Sequence, residues 1–313
     1  MSDKTEAYVL AIHQSDRHGC GLAWLSVTQG LVHLAECDTS ELPNWIARIA
    51  PSEVIYSAEV SPAFEQQLKN LCTQAGLPTQ IRPAFQFDSA LGGRKLLAHL
   101  QAASLAAWQA QDVTQAHAAV AALLAYAEHT QGRTLTHVHG IYVARHEALI
   151  DLPLTTRRNL ELTQTLRGED SPTLFSLLDT CMTGMGSRQL KNWLLTPERD
   201  RTQAMHRLAA IAALQDNRTQ SYKVLREALK GSGDVQRISA RVSLRQVRPR
   251  ELVSLGQALQ KALRIQPLIP TFSASAKRET EHSAEVKEEL AKPAGDTQQS
   301  ALSPSLPRSR RWE

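Results

Sequence analysis

The chain has 313 residues, which is enough for two or three domains that each bury a hydrophobic core. Hydrophobic residues make up 42% of the sequence and the net charge is only +4, which favours a soluble globular protein over a disordered one. The longest apolar run, residues 118–127, reaches only about half of a membrane span, and the polar N-terminus lacks the apolar stretch of a secretory signal. These features exclude a membrane-spanning class, and we expect a cytoplasmic location.

Positive charge is concentrated in the middle of the chain. Residues 1–150 contain 9 Lys or Arg against 13 Asp or Glu, residues 151–264 contain 19 against 11, and residues 265–313 contain 7 against 7. This asymmetry permits contact with a polyanion such as DNA or with an acidic domain, although an ordinary solvated helix surface has the same composition.

Cysteine usage indicates a reducing compartment. The four cysteines are Cys20, Cys37, Cys72 and Cys181. They are widely spaced and form no C-x-x-C pair, so the sequence predicts neither a disulfide framework nor a thiolate zinc site. We expect free thiols.

The first part of the chain predicts alternating strands and helices. A meander of three short strands, with Gln29 and Gly30 in the hairpin turn, is followed by helix, strand, helix and strand, and then by two Ala-rich helices. The predicted strands lie at 8–12, 22–27, 31–35, 54–56 and 80–82, and the predicted helices lie at 42–49, from 62 to the stop at Gly76, at 91–108 and at 113–129. This order is that of an α/β ribonuclease H-like layer fold.

A ribonuclease H-like fold raises the hypothesis of a metal-dependent nuclease. Such enzymes hold two divalent cations with several carboxylates, one of which lies inside the first strand. The predicted first strand contains no Asp or Glu; Glu6 precedes it, Asp16 follows it and Glu53 opens the fourth strand. His137 and His139 have no third metal ligand nearby. We therefore expect no catalytic residues and no metal site.

A nucleotide site of the P-loop type needs the pattern G-x-x-x-x-G-K-[ST], because backbone amides, a lysine and a hydroxyl together hold the phosphates and magnesium. No window of the chain fits this pattern. Residues 92–95 lack the first glycine and the hydroxyl, and the glycines at 231 and 233 are followed by Asp234. We expect no nucleotide-binding residue and no cofactor in this chain.

The second part of the chain predicts helices. After a small hairpin formed by 140–143 and 149–152, a helix is expected at 157–166, then a polar turn, then a helix with Ser171 as N-cap and Pro172 in its first turn.

Apolar spacing predicts which faces of these later helices are buried. Residues at i, i+3, i+4 and i+7 give the helix after Pro172 one apolar face, and residues 183–186 interrupt it. The face consists of Leu174, Leu177, Leu178 and Cys181, and comparable stripes follow at Met205, Leu208 and Ile211 and at Tyr222, Leu225 and Leu229.

Five arginines form a basic run near the end of the helical part. They are Arg237, Arg241, Arg245, Arg248 and Arg250. The first three recur every four residues on a predicted helix capped by Asp234, so they are expected to line one face, and residues 235–250 contain no Asp or Glu to neutralise them. These arginines are candidates for contact with DNA phosphates; an acidic interdomain surface and plain solvation are the alternatives.

The composition changes after about residue 268. Residues 272–313 are rich in Ser, Ala, Glu, Lys and Pro and contain few large apolar side chains, which predicts a disordered tail at 269–313.

Four motifs follow one another through the helical part: TRRNLEL at 156–162, GEDSPTLFSLLD at 168–179, TGMGSRQL at 183–190 and RPREL at 248–252. In this order they resemble the opening of the helical core, or lever, region of the MutS family of DNA mismatch-repair proteins. Upstream, residues 8–128 resemble the connector domain of that family, and residues 129–152 resemble its passage into the core.

The resemblance implies an α/β ribonuclease H-like connector domain at 1–128, a partial all-α lever domain at 129–268 and a tail at 269–313 that departs from the family pattern. Complete MutS proteins are dimers that bind ATP and Mg, recognise mismatched DNA and contact MutL. This chain contains neither a P-loop nor the family's mismatch-reading Phe-x-Glu wedge, so we expect no enzyme activity and only weak, non-specific DNA binding. The alternatives are a stand-alone scaffold or interaction protein and a truncated product without repair activity.

The missing P-loop pattern predicts that purified protein comprising residues 1–313 neither binds nor hydrolyses ATP. Equilibrium binding with a fluorescent ATP analogue and a phosphate-release assay check this expectation. Saturable binding with a dissociation constant of about 1 μM, equivalent to about −8 kcal/mol, would contradict it.

Overall fold

The computed structural model describes residues 6–15, 18–215 and 221–266. Within them, a mixed sheet with helices on both faces precedes a series of helices. The strands are β1 Val9–Gln14, β2 Gly19–Leu25, β3 Leu31–Asp38, β4 Glu53–Ser57, β5 Thr79–Arg82 and β6 Gly140–Val143. The helices are α1 Leu42–Ile49, α2 Pro62–Gln74, α3 Ser89–Leu100, α4 Thr114–Gln131, α5 Leu154–Asn159, α6 Leu174–Leu178, α7 Gly184–Leu195, α8 Thr202–Leu214, α9 Ser221–Leu229, α10 Val235–Ser243 and α11 Pro249–Ile265.

The six strands lie in the order β5-β4-β1-β2-β3-β6. The first three strands of the chain pair antiparallel, whereas β4 joins β1, β5 joins β4 and β6 joins β3 in parallel. The turn between β2 and β3 ends at Gly30, whose φ of 57° is a conformation that glycine adopts without strain. The predicted meander and the two strands that follow it are confirmed.

Side-chain alternation along the strands divides the core between the two faces of the sheet. On β1, Leu10 and Ile12 point to a hydrophobic cluster that α1 and α2 cover, with Trp45 and Leu68 as large buried members. Ala11 points to the opposite cluster, which α3 and α4 cover. The first part of the chain is therefore a helix–sheet–helix sandwich.

Helix α4 packs so closely against its neighbours that glycine is required at two contact points. A Cβ atom on Gly21 of β2 would overlap the backbone of Gln115, and a Cβ atom on Gly92 of α3 would overlap the carbonyl oxygen of His117. The alanines of α4 permit this approach because their side chains add little thickness.

Two predictions in the first part are corrected. The helix expected at 91–108 ends at Leu100, because Gln101 takes a left-handed φ of 52°. The hairpin expected from 140–143 and 149–152 is wrong: β6 pairs with the open edge of β3, whose backbone groups would otherwise have no partner. The sheet therefore includes residues 140–143, which lie after the predicted end of the first domain at 128. The position of that boundary stays a prediction.

The helices at the start of the second part are shorter than expected. Helix α5 ends at Asn159 instead of extending to 166, and Glu161 just after it has a left-handed φ of 44°. The N-cap of α6 is Thr173 and not Ser171. Its Oγ1 accepts a hydrogen bond from the Ser176 backbone N–H at 3.1 Å, and Ser176 Oγ accepts one from the Thr173 N–H at 2.8 Å. This reciprocal pair satisfies the helix start without Ser171.

The apolar face predicted for α6 is not buried. Leu174, Leu177 and Leu178 are 39%, 77% and 46% exposed, and Cys181 is also exposed. Helix α6 has only five residues, which is too short to place a face of that length on a neighbour. Residues 183–186, which were predicted to interrupt this face, also begin the next helix. Thr183 Oγ1 accepts a hydrogen bond from the Gly186 N–H at 3.1 Å and caps α7.

The close contact of α3 and α4 predicts opposite outcomes for two neighbouring glycines. Gly92→Ala forces α3 away from the His117 carbonyl group and is expected to lower the free energy of unfolding by about 1–3 kcal/mol. Gly93→Ala meets only His117 Nδ1, at 3.8 Å, and removes a glycine from a helix, so it is expected to raise the free energy of unfolding by about 0.5–1 kcal/mol. Urea denaturation measures both. Similar losses in the two variants would contradict the packing described.

Candidate nucleic-acid surface and ionic junction

Two of the five candidate arginines lie on helix α10 and face carboxylates. Arg237 Nε is 3.7 Å from Asp234 Oδ2, and the Arg241 guanidinium forms an ion pair with Glu251. The carboxylates flank the stretch from 235 to 250, which has no acidic residue of its own. Part of the predicted positive surface is therefore neutralised by the residues immediately before and after it.

Arg245 does not lie on the helix face where the four-residue spacing places it. Helix α10 ends at Ser243, and Arg245 has a left-handed φ of 51°. The cause is Leu244, which is only 4% exposed and packs into the hydrophobic cluster shared by the sheet and α4. The expectation of three guanidinium groups in one row is wrong, because burying Leu244 turns the chain before Arg245.

Arg248 and Arg250 lie at the start of α11, and both are exposed, as is Arg245. The Arg248 backbone N–H donates to Glu251 Oε2 at 2.8 Å. This hydrogen bond, together with the charge of Arg241, lowers the pKa of Glu251 below its usual range. The exposed part of the candidate surface thus consists of Arg245, Arg248 and Arg250, which we call the outer arginines.

Arg188 of α7 forms a buried ionic junction with Asp234, the residue that precedes α10. Its side chain is only 3% exposed. Nη1 and Nη2 donate to the two carboxylate oxygens of Asp234 at 2.6 and 3.0 Å, and Nη2 also donates to Gln236 Oε1 at 3.1 Å. On its other side, Nε forms an ion pair with Glu6. We call the set of Glu6, Arg188 and Asp234 the Arg188 junction.

The Arg188 junction connects segments that are far apart in the sequence. Glu6 Oε2 accepts hydrogen bonds from Ser26 Oγ at 2.7 Å and Thr28 Oγ1 at 2.8 Å, so it is held by the turn between β2 and β3. Asp234 Oδ1 accepts the Arg237 backbone N–H at 3.2 Å and is the N-cap of α10. One guanidinium therefore links the sheet, α7 and α10.

Tyr8 lies next to the junction and contributes no charge near neutral pH. Its hydroxyl donates to Gln29 Oε1 at 3.3 Å. Burial, and then the negative charge of Glu6, raise the pKa of Tyr8 to about 12.

The junction was not predicted from the sequence, although Asp234 was predicted as a helix cap and the other two members belong to patterns noted above. Arg188 is part of the TGMGSRQL motif, and Glu6 is one of the carboxylates considered as metal ligands. The structure shows that two neighbouring polar residues of this motif, Ser187 and Arg188, are buried, at 1% and 5% exposed. The apolar stripes of the sequence do not indicate that these two residues are buried. Their partners were not predictable, because spacing rules operate over a few residues only.

The carboxylates considered for a nuclease have other partners. Glu6 is part of the Arg188 junction, Glu53 Oε1 accepts the Tyr126 hydroxyl at 2.8 Å, and Asp16 lies outside the described residues. Among the described residues there is no group of three or more His, Cys, Asp or Glu placed to hold a metal ion. None of the helices in that part of the chain has the length and apolar character needed to cross a membrane.

The burial of Arg188 predicts a large effect on stability. Arg188→Met leaves Glu6 and Asp234 without their shared counter-charge, so we expect the free energy of unfolding to fall by about 3–5 kcal/mol. The exposed Arg167 provides a matched control, and Arg167→Met is expected to change it by less than about 0.5 kcal/mol. Urea denaturation followed by circular dichroism checks both. An Arg188→Met variant as stable as the Arg167→Met control would show that the junction contributes nothing.

Comparisons with known proteins identify the chain. A solved structure, "T. thermophilus RuvC in complex with Holliday junction substrate", aligns with 40% of this chain and 96% of its own, at 14% identity and a TM-score of 0.30, which is too weak a likeness to support a conclusion. Family models match far more clearly: MutS domain II over residues 7–139 and MutS domain III over residues 155–308. The domain III match includes most of the segment after 268, where the sequence alone indicated a departure from the family; that segment and its expected disorder lie outside the described residues. The chain belongs to the MutS family of DNA mismatch-repair proteins, through its domains II and III.

Proposed function

We propose that this chain serves DNA mismatch repair as the connecting part of a MutS protein, transmitting conformational change between its DNA-binding and nucleotide-binding parts, and that it has no catalytic residue of its own. The observation that carries the proposal is the Arg188 junction. It joins the sheet of domain II to two helices of domain III through a buried guanidinium.

Buried ionic contacts suit a transmitting element because they resist partial separation. If domain III began to move away from domain II, Glu6 would lose Arg188 while both groups were still shielded from water. A buried charge that loses its partner in this way costs about 3–5 kcal/mol. Leu244 adds an apolar contact on the same side, since it packs into the cluster of the sheet and α4. A displacement applied to α7 or α10 is therefore passed to the sheet instead of being absorbed at the boundary.

The strand arrangement supports a ribonuclease H-like assignment for domain II. An antiparallel meander with two parallel strands added beside β1 has the order expected for that fold, and β6 is an additional edge strand. A nuclease activity does not follow, because Glu6 and Glu53 contact Arg188 and Tyr126.

Direct DNA contact by this chain is proposed to be weak and blind to mismatches. The outer arginines can neutralise a few phosphates, whereas mismatch reading needs a side chain inserted into the base stack. Binding of ATP and Mg, contact with MutL, dimer formation and a cytoplasmic location are carried over from complete MutS proteins as proposals, with ATP and Mg assigned to parts of those proteins other than the residues of this chain.

A scaffold or interaction protein without repair activity is the second candidate. Exposed apolar side chains on α8 and α11 favour it, because surfaces of this kind mark contacts with other protein segments. They include Met205 at 60%, Leu208 at 57%, Val253 at 61% and Leu263 at 71% exposed.

The outer arginines predict how DNA affinity depends on salt. If Arg245 and Arg250 bind phosphates, replacing both with Ala should reduce the slope of log K against log salt by about 0.9 for each phosphate that is no longer neutralised. Fluorescence anisotropy with a labelled duplex at several salt concentrations measures the slope, and a duplex with a single mismatch should give the same affinity.

The control for this experiment removes two exposed arginines elsewhere. Arg158→Ala with Arg167→Ala makes the same change in net charge and should leave the slope unchanged. Equal slopes for the two double variants would exclude the outer arginines as a DNA surface. A preference for mismatched DNA that persists at physiological salt would overturn the view that this chain reads no mismatch.

A further inference from the structure

A cleft of about 330 Å³ lies between the sheet, α1, α7 and α8, and Arg188 is one of the residues that line it. It is separate from the outer arginines. Pockets of this size hold small ligands or a few side chains of a partner. Its walls differ in character, since one is aromatic and the other carries positive charge.

The aromatic wall is built on β2, β3, β6 and α1. The Trp24 and His33 rings stack with their centroids 5.1 Å apart, Trp45 lies 5.9 Å from Trp24, and Tyr142 meets the edge of His33 at 5.6 Å. Burial lowers the pKa of His33 to about 4, so its imidazole is neutral at physiological pH. This wall favours an apolar or aromatic group.

Arg48 of α1 supplies an incompletely paired positive charge at the cleft. The residue is only 5% exposed, and its guanidinium lies 5.0 Å from the centre of the Trp45 ring. Nη2 donates to the Ile150 carbonyl oxygen at a long 3.4 Å, and Nε has no hydrogen-bond partner among the described residues. A buried donor without a partner is unfavourable, and a bound acceptor would satisfy it.

The carboxylates closest to Arg48 have another partner. Glu41 and Asp151 both contact His146, at 3.3 and 3.8 Å. Arg157, buried nearby, adds positive charge, and burial together with the charge of Arg48 lowers its pKa to about 10. Burial lowers the pKa of Arg48, and the charges of Asp151 and Glu41 oppose that shift without bonding to its Nε.

The opposite wall, from α7 and α8, adds two more cations. Lys191 and Arg207 line the cleft, and the Arg207 guanidinium lies 4.1 Å from the centre of the Trp193 ring. The carboxylates of the cleft are Glu6, which is bound to Arg188, and the exposed Glu198. Apart from the Glu6–Arg188 pair, the cleft is therefore lined by three cationic side chains and one carboxylate. The cations are Arg48, Lys191 and Arg207, and the carboxylate is Glu198.

We propose that this cleft binds an acidic peptide segment, with a carboxylate held by Arg48 and Arg207 and a neighbouring apolar side chain against the tryptophans. A planar carboxylate matches the paired N–H donors of arginine, and the aromatic wall adds the apolar contact that inorganic phosphate cannot use. The site thus gives the connecting part of the protein a surface for a partner protein.

The test compares two peptides that differ only in charge, acetyl-Leu-Glu-Phe-amide and acetyl-Leu-Gln-Phe-amide, by isothermal titration with the full chain. We expect the Glu peptide to bind at least tenfold more tightly, with a dissociation constant below about 1 mM. Arg207→Gln should remove that preference, and Arg167→Gln should preserve it. Arg48→Gln should also remove the preference for the Glu peptide. If the Arg48→Gln variant fails to fold, Lys191→Gln is used in its place and should weaken that preference.

Three outcomes would overturn the proposal. One is equal affinity of the two peptides, and another is no binding of either up to about 5 mM, well above the expected constant. The third is complete displacement of the Glu peptide by an equal concentration of inorganic phosphate, since that would indicate an anion site without peptide recognition. None of these measurements involves DNA, so their failure leaves the proposed repair role unaffected.

Discussion

The arrangement of this protein depends on how one buried guanidinium is satisfied. Arg188 needs partners on two sides because a desolvated charge is tolerated only when paired and hydrogen-bonded. Glu6 comes from the start of the chain and Asp234 from the cap of α10, so both must be in place for α7 to pack. The junction therefore acts as a geometric constraint that the two domains share, and the helices around it are positioned by charge as much as by apolar contact.

The sandwich beneath the junction supplies the rigidity that such a constraint requires. Ser26 and Thr28, in the turn after β2, hold Glu6, and β2 is itself pressed against α4 at Gly21. A shift of the sheet would therefore move the carboxylate that pairs with Arg188. In this way the close packing of α4, which only glycine permits, is linked to the position of domain III.

Much of the first domain could be predicted from the sequence because its signals are local. The helices predicted at 42–49 and from 62 onward are present as α1 and α2, and Asp234 caps α10 as predicted. These patterns depend only on residues a few positions apart and on which of them avoid water. The hairpin predicted at residue 149 is wrong because the edge of β3, more than a hundred residues earlier, competes for the strand at Gly140.

The candidate site was harder to predict because its geometry depends on distant contacts. Four-residue spacing placed Arg245 beside Arg241, but burial of Leu244 in the other domain ended the helix first. The neutralisation of Arg241 could be suspected from Glu251 just past the basic run, whereas the pairing of Arg188 with Glu6 could not. The exposed leucines of α6 show the same limit, since an apolar stripe predicts a buried face only when a neighbour exists to cover it.

Hydrogen exchange in increasing urea, read by mass spectrometry, tests most directly whether the Arg188 junction makes the two domains one cooperative unit. The account predicts that peptides covering β2 and β3 and peptides covering α7 and α10 lose protection at the same urea concentration, because the junction opens only when both sides open. Loss of protection in α7 and α10 at clearly lower urea, with the sheet still protected, would contradict it.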